Sequence, residues 1–133
     1  MGDAQVSTPS ERQAVHPTPL SVCIITYNEE ENLPRCLASV AFAEEIVIVD
    51  SQSSDGTVAI ARHAGCRVIP QAFLGYVAQK NLAVHHATYP WVLCLDADEW
   101  LRAGAEEAIR ACFRAHLREC HKWIYDRWER SVR

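Results

Sequence analysis

The chain has 133 residues, long enough for one domain with a real hydrophobic core. Apolar residues make up 49% and charged residues 23%, the balance of an ordinary soluble globular protein, and no apolar run approaches the roughly 18 residues needed to cross a bilayer. The net charge of −4, despite a basic C-terminal segment, gives an acidic body that argues against nucleic acid as a partner and suits a site for a divalent cation.

Residues 1–19 hold four Pro or Gly among Ser, Thr and Gln. They lack the basic start and apolar middle of a signal peptide, so they read as a loose tail, and a cytoplasmic location is expected. Residues 20–26 form an apolar, β-branched run with the length of a strand buried on both faces. A polar stretch follows, then a short helix over 33–40, with Asn32 as its candidate cap and Pro34 tolerable in the first turn. A second buried strand, 45–50, ends at Asp50 and breaks into a loop of turn formers before a helix over 57–63 that Gly65 is placed to end. Residues 66–70 give a third strand, and 76–87 show helical spacing through Val77, Leu82 and His85. The fourth strand, 91–95, runs into Asp96-Ala97-Asp98-Glu99. Strands alternating with helices predict an α/β fold, three layers (α/β/α) around a mostly parallel sheet.

In such sheets ligands bind at the carboxyl ends of the strands, near the switch in strand order. Three strands end there in polar or acidic groups: Thr26 to Glu29, Asp50, and Asp96 to Glu99. Asp96 and Asp98 stand at i and i+2, so in extended chain both carboxylates face one side and can share a hard cation such as Mg²⁺ or Mn²⁺, which usually keeps substrate phosphates among its ligands. The bland alternative is an acidic loop capping a helix after residue 102. Asp50 can accept a hydrogen bond from a base or ribose, or cap its own loop through the backbone of Ser53 or Ser54. Lys80 can offset phosphate charge, although spacing alone reads it as a solvated lysine on a helix face. His85 and His86 read as surface or packing residues.

Cys23, Cys36, Cys66 and Cys94 sit in apolar segments and are expected to be reduced core residues. Cys112, His116 and Cys120 share one helix face and could be imagined around zinc, but Ile109, Phe113, Leu117 and Ile124 share roughly that face, which favours packing. Arg110, Arg114, Arg118 and Lys122 recur as a basic stripe followed by Trp123 and Trp128. A helix of that pattern can touch anionic lipid headgroups, though a solvated face is the commoner outcome.

Three segments together carry a family resemblance. Ser21-Val22-Cys23-Ile24-Ile25-Thr26-Tyr27-Asn28-Glu29-Glu30, then Ile46-Val47-Ile48-Val49-Asp50-Ser51 with Ser53-Ser54-Asp55-Gly56-Thr57, then Leu95-Asp96-Ala97-Asp98-Glu99 resemble the family 2 glycosyltransferases in order and spacing. Gln79-Lys80-Asn81 is similar to a short motif of that family's lipopolysaccharide-core branch. The resemblance covers residues 20 to about 110. It implies the glycosyltransferase-A fold, the Rossmann-like half of a nucleotide-diphospho-sugar transferase. It implies nucleoside contacts from Thr26, Tyr27, Glu29 and Asp50, with Asp96, Ala97 and Asp98 on the diphosphate and on a Mg²⁺ or Mn²⁺ ion held by Asp96 and Asp98. The implied reaction moves a sugar from a nucleotide-sugar donor to a hydroxyl of a glycan or glycolipid acceptor, with inversion, in lipopolysaccharide or other cell-envelope synthesis.

Two departures stand out. Gln52 replaces the family's usual glycine, which predicts a less tightly turned loop. The resemblance implies a second half that supplies the acceptor site and catalytic base, and these 133 residues are expected to stop short of it; Asp126 and Glu129 are not assigned that role, and the base stays unknown. The expected organisation is a tail over 1–19, a nucleotide-sugar-binding domain over 20–108, and a basic helix over 109–133 that is a candidate remnant of the acceptor half and a candidate peripheral membrane contact. The alternatives to a transferase are a catalytically incomplete nucleotide-sugar-binding module and, more weakly, a membrane-surface interaction protein.

Overall fold

A computed structural model describes residues 18–115. Eight elements alternate: β1 (Leu20–Thr26), α1 (Leu33–Ser39), β2 (Glu45–Asp50), α2 (Thr57–His63), β3 (Arg67–Pro70), α3 (Tyr76–His86), β4 (Trp91–Asp96) and α4 (Ala105–Ala115). The four strands form one sheet in the order β3-β2-β1-β4, and every pairing is parallel. The chain steps outward from β1 to β2 to β3, then crosses back so that β4 lies on the other side of β1. The switch in strand order therefore falls between β1 and β4.

Both faces of the sheet are covered, as the unbroken apolar runs require. Val22, Ile24 and Ile48 point into the larger core, where Leu33, Cys36 and Leu37 of α1, Ala61 of α2, and Ile109 and Phe113 of α4 meet them. Cys23, Val47 and Val49 point the other way, onto Ala83 and Leu82 of α3. The alternation of facing along β1 and β2 is the period-2 geometry of a strand. The three-layer α/β/α expectation holds.

Helix ends show where local chemistry agrees with the sequence and where it does not. Gly65 adopts φ +84° just past α2, and the amides of Gly65 and Cys66 reach back to the carbonyls of Arg62 and Ala61. This is the two-bond C-terminal closure for which a left-handed glycine is favoured. Pro34 sits in the first turn of α1, but Asn32 makes no side-chain cap there. Its amide Nδ2 instead donates to Glu29 Oε2 at 3.1 Å, and the carbonyl of Glu29 takes the amides of Asn32 and Leu33.

The face of α3 also differs from the spacing-based expectation. Val77 is 74% exposed and His85 is exposed, whereas Gln79 and Ala83 are the buried positions. A polar residue goes inside because every polar atom of its amide finds a partner, as described below.

Ile109, Cys112 and Phe113 of α4 are buried, which agrees with packing; Phe113 lies 4.8 Å from Trp91, ring to ring. Cys23, Cys36, Cys66 and Cys94 are free thiols, while Cys112 is disulfide-bonded. Arg110 is no solvated cation. It pairs with Glu106 at 3.0 Å, approaches Glu44 at 3.8 Å, and lies over the ring of Phe42. No described helix is long and apolar enough to cross a membrane. The expected boundary at 108/109 falls inside α4. Residues 1–17, and His116, Leu117, Arg118, Cys120, Lys122, Trp123, Ile124, Asp126, Trp128 and Glu129 of the expected basic helix, lie outside the described residues.

Candidate donor site at the carboxyl edge of the sheet

Register brings the distant motifs together. Thr26 pairs with Asp50 across β1 and β2, and Ile25 pairs with Asp96 across β1 and β4. Asp50 and Asp96 thus flank β1 at the same edge, two strand spacings apart, about 10 Å.

The two sides of that edge differ. Asp50 is 1% exposed. Its Oδ1 accepts the hydroxyl hydrogens of Thr26 and Ser53, each at 2.6 Å, and Oδ2 accepts the Ser53 amide at 2.9 Å. The loop-capping role considered from sequence is realised at Ser53. Gln52, which stands where a glycine was expected, takes φ +62°. The turn after Asp50 therefore keeps its left-handed step, contrary to the expected loosening, at the steric cost a Cβ brings there.

The loop after β1 and the loop after β2 are laced together. The Asn28 amide donates to Ser53 Oγ at 2.8 Å and Asn28 Oδ1 accepts the Ser54 amide at 2.8 Å. The Glu29 amide donates to Thr57 Oγ1 at 2.8 Å. Gly56 gives its amide to Glu30 Oε1 at 2.7 Å, and a Cβ on Gly56 would meet that oxygen at 2.9 Å. Thr57 in turn holds the Asp55 carboxyl below its usual range through its hydroxyl. Tyr27 and Glu29 were named here from sequence, and Ser53 only as a partner of Asp50; the parts that Asn28, Asp55 and Thr57 play in the frame that fixes them were not foreseen. Their signal was the type of residue, short side chains that bond nearby backbone.

On the β4 side, Asp96, Asp98 and Glu99 each offer a carboxylate oxygen, and these oxygens lie within 4.8 Å of one another. Glu99 was not counted as a ligand from sequence. Its Oε2 accepts the Asp96 amide at 2.9 Å, and the Glu99 amide returns to the Asp96 carbonyl at 3.0 Å. Of the first amides of α4, those of Ala105 and Ala108 go to the carbonyls of Arg102 and Gly104 rather than to this group. Burial, helped by the neighbouring carboxylates of Asp96 and Asp98, pushes Glu99 above its ordinary pKa despite the Asp96 amide. The strand end is pinned from below by Cys36, whose thiol donates to the Asp96 carbonyl at 3.7 Å. Burial pushes that thiol up to about 12, so it stays a protonated donor at neutral pH.

Asp96 Oδ1 is a buried atom that accepts no well-aligned hydrogen bond. Its partner is an ion: Lys80 Nζ stands 3.0 Å away. Burial pulls the Lys80 pKa down, but Asp96 and Glu99 outweigh that and hold the ammonium above its ordinary value. Lys80 is therefore not the freely solvated lysine that spacing favoured. An all-oxygen, anionic cluster with one under-used buried oxygen fits Mg²⁺ or Mn²⁺, which take oxygen ligands near 2.1 Å.

These residues border a cleft of about 550 Å³ lined by Ile25, Thr26, Tyr27, Glu29, Ser51, Phe73, Tyr76, Asp96, Ala97 and Asp98. Six of the eight donor-site residues expected from sequence line it. Lys80 joins through Asp96, and Asp50 lies beneath Thr26. Phe73 and Tyr76, in edge-to-face contact at 5.0 Å, were missed; their exposure was the signal the structure adds. A larger hollow of about 960 Å³ lies between α1 and α2, by Glu45 and Arg67 at the amino ends of β2 and β3. It is walled mainly by small and apolar side chains, with Glu44, Glu45, His63 and Arg67 as its charged or titratable members.

Residues 21–123 match the sequence profile of glycosyl transferase family 2. The chain belongs to that family. It is 41% identical over 98 residues to an uncharacterized glycosyltransferase of Rickettsia felis, covering 73% of this chain and 35% of that protein. It is 41% identical over 96 residues to the lipopolysaccharide core biosynthesis glycosyltransferase LpsC of Rhizobium meliloti, covering 68% and 36%. The chain thus spans about a third of the length of these curated relatives. Among solved structures it is similar to S. aureus TarS 1-349, with a TM-score of 0.64, 26% identity, and coverage of 74% of this chain and 33% of that one. A Mycobacterium tuberculosis glucosyl-3-phosphoglycerate synthase, solved with Mn²⁺, UDP and glucosyl-3-phosphoglycerate, aligns with a TM-score of 0.59 at 19% identity, over 85% of this chain and 46% of that one, a likeness of fold. The fold is that of the glycosyltransferase-A enzymes.

Proposed function

We propose that the cleft binds a nucleotide-sugar donor, with the diphosphate on a Mg²⁺ or Mn²⁺ ion held by Asp96 and Asp98, and that this is the donor half of an inverting glycosyltransferase. The observation that carries the reading is the meeting of Asp96, Asp98 and Glu99 with Thr26, Tyr27 and Glu29 around one cleft at the switch point of the sheet. Tyr27, exposed above the laced loops, and the half-buried Glu29 would bound the nucleoside, and Thr26 with Asp50 would support its ribose and base. Ala97, small and buried between the two aspartates, leaves room for phosphate. When bound, a divalent ion would neutralise the charge that grows on the departing diphosphate.

The acceptor is a hydroxyl of a glycan or glycolipid in lipopolysaccharide-core or related cell-envelope synthesis. That reading leans on the relative LpsC and on the Gln79-Lys80-Asn81 motif. A cytoplasmic site, with peripheral membrane contact through residues 109–133, belongs to the same reading.

A second reading is a nucleotide-sugar-binding module without transfer. It is favoured by the described cleft itself, whose carboxylates are Asp96 and Asp98 of the acidic cluster and Glu29, the last of which accepts from Asn32 Nδ2. Incubating the chain with UDP-, GDP- and ADP-sugars and Mn²⁺, with and without a lipopolysaccharide-core acceptor, separates the two. Sugar transfer supports the enzyme. Binding without transfer or donor hydrolysis supports the module, and absence of binding overturns both.

A further inference from the structure

Lys80 is aimed at the acidic cluster by its neighbour. Gln79 is 0% exposed; its Nε2 donates to Ser51 Oγ at 2.9 Å and to the Gln71 carbonyl at 3.3 Å, while Oε1 accepts the Leu74 amide at 3.1 Å. This anchor ties the first turn of α3 to the loop after β2, fixing the direction in which Lys80 leaves the helix. Its ammonium meets Asp96 Oδ1 at 3.0 Å, an oxygen with no well-aligned hydrogen bond of its own.

That oxygen is also one a divalent ion at Asp96 and Asp98 would use. An ammonium and a divalent cation cannot both sit on it, because like charges a few ångströms apart repel strongly at a partly buried site. The pair is also easily exchanged. Both side chains are more than a third exposed, 38% and 39%, and pairs of that kind stabilise by no more than about a factor of five. The four-carbon stem of lysine lets Nζ swing several ångströms without moving the helix.

We propose that Lys80 is the resident counter-ion of Asp96, displaced when a divalent cation binds, and that the released ammonium then pairs with the donor's diphosphate. Lys80 would hold the acidic cluster together before loading and become a phosphate ligand after it. The proposal rests on the donor-site reading above.

The test is made on the full chain, titrating Mn²⁺ alone and then UDP at saturating Mn²⁺, with wild type, Lys80→Gln, Asp96→Asn and, as a control for net charge, Arg62→Gln on the exposed end of α2. Lys80→Gln is expected to bind Mn²⁺ roughly three- to fivefold more tightly and UDP about tenfold more weakly, opposite signs that a merely structural lysine would not produce. The Mn²⁺ gain should persist in 1 M NaCl, where the Debye length is about 3 Å, and Arg62→Gln should show none. In wild type, the rate of amine acetylation at Lys80 should rise with Mn²⁺ and fall again when UDP is added. Unchanged or weaker Mn²⁺ binding by Lys80→Gln, while Asp96→Asn abolishes it, overturns the counter-ion role alone. Should Lys80→Gln fail to fold, an acetylation rate in wild type that Mn²⁺ leaves unchanged or lowers has the same force. Wild type that binds neither Mn²⁺ nor UDP overturns the donor-site reading together with this one.

Discussion

Thr26 Oγ1 donates a 2.6 Å hydrogen bond to Asp50 Oδ1 across the last register pair of β1 and β2, with both residues buried. A carboxylate taken out of water at a strand end needs such donors, since leaving one unmet costs its desolvation. Thr26→Val keeps the β-branched shape and removes one of three donors to Asp50. It should lower stability by about 2 kcal/mol in urea unfolding, with Thr26→Ser restoring much of it. No loss in Thr26→Val would mean that water or a new partner replaces the hydroxyl.

Gln79 offers a second buried polar test. Gln79→Leu fills similar volume but strands the Leu74 amide and releases Ser51 Oγ, so a loss of about 2–3 kcal/mol is expected. Hydrogen exchange should speed up at Leu74, whose amide loses its acceptor, while protection in β1 falls only with the global stability. Uniform exchange changes alone would deny Gln79 its local role.

At Gln52 the strain is in the backbone. Its φ of +62° is costly for a residue with a Cβ and free for glycine, although glycine loses more entropy on folding. Gln52→Gly should stabilise by up to about 1 kcal/mol, and Gln52→Val should destabilise by at least that much, both read from urea midpoints.

Glu45 gives a pH dependence. It accepts the Ser21 hydroxyl and the Thr88 amide, each at 2.7 Å, and the Thr88 hydroxyl at 2.7 Å. Burial works to raise its pKa, but these donors and the charge of Arg67 outweigh it and hold the carboxyl below its ordinary value of 4.5. A depressed folded-state pKa contributes stability that is present above the unfolded value and lost as pH falls through the folded one. Wild type should therefore exceed Glu45→Gln in stability by about 1 kcal/mol at pH 7, discounted for solvent screening. The gap should close once the pH falls well below 4.5. A constant gap from pH 7 to pH 3 would contradict the assignment.

The strands were legible because β-branched apolar runs of six or seven residues bounded by turn formers have few other destinations. Observed β1 and β2 coincide with the expected spans, and β3 starts one residue later, at Arg67. Parallel order then placed Asp96 and Asp50 at one edge without any side-chain information. What stayed hidden was set by partners distant in sequence. Gln79 is inside and Val77 outside because Ser51, Gln71 and Leu74 satisfy the amide, a fact that helical spacing in α3 does not contain. Lys80 looked solvated because Asp96, sixteen residues on, is its neighbour only after β4 crosses back beside β1. Asn32 lost its expected cap to Glu29, and Glu99 gained a place in the cluster by folding back on the Asp96 amide.

The central claim is that Asp96 and Asp98 hold a divalent ion which grips a nucleoside diphosphate. Isothermal titration of UDP, GDP and ADP into the full chain, with and without Mn²⁺, tests it most directly when repeated with Asp96→Asn and Asp98→Asn. At least one nucleotide should bind in wild type with Mn²⁺, at least tenfold more weakly without it, and each substitution should remove the Mn²⁺-dependent gain. No binding by wild type, or binding of equal strength with and without Mn²⁺ and in both variants, would contradict the claim.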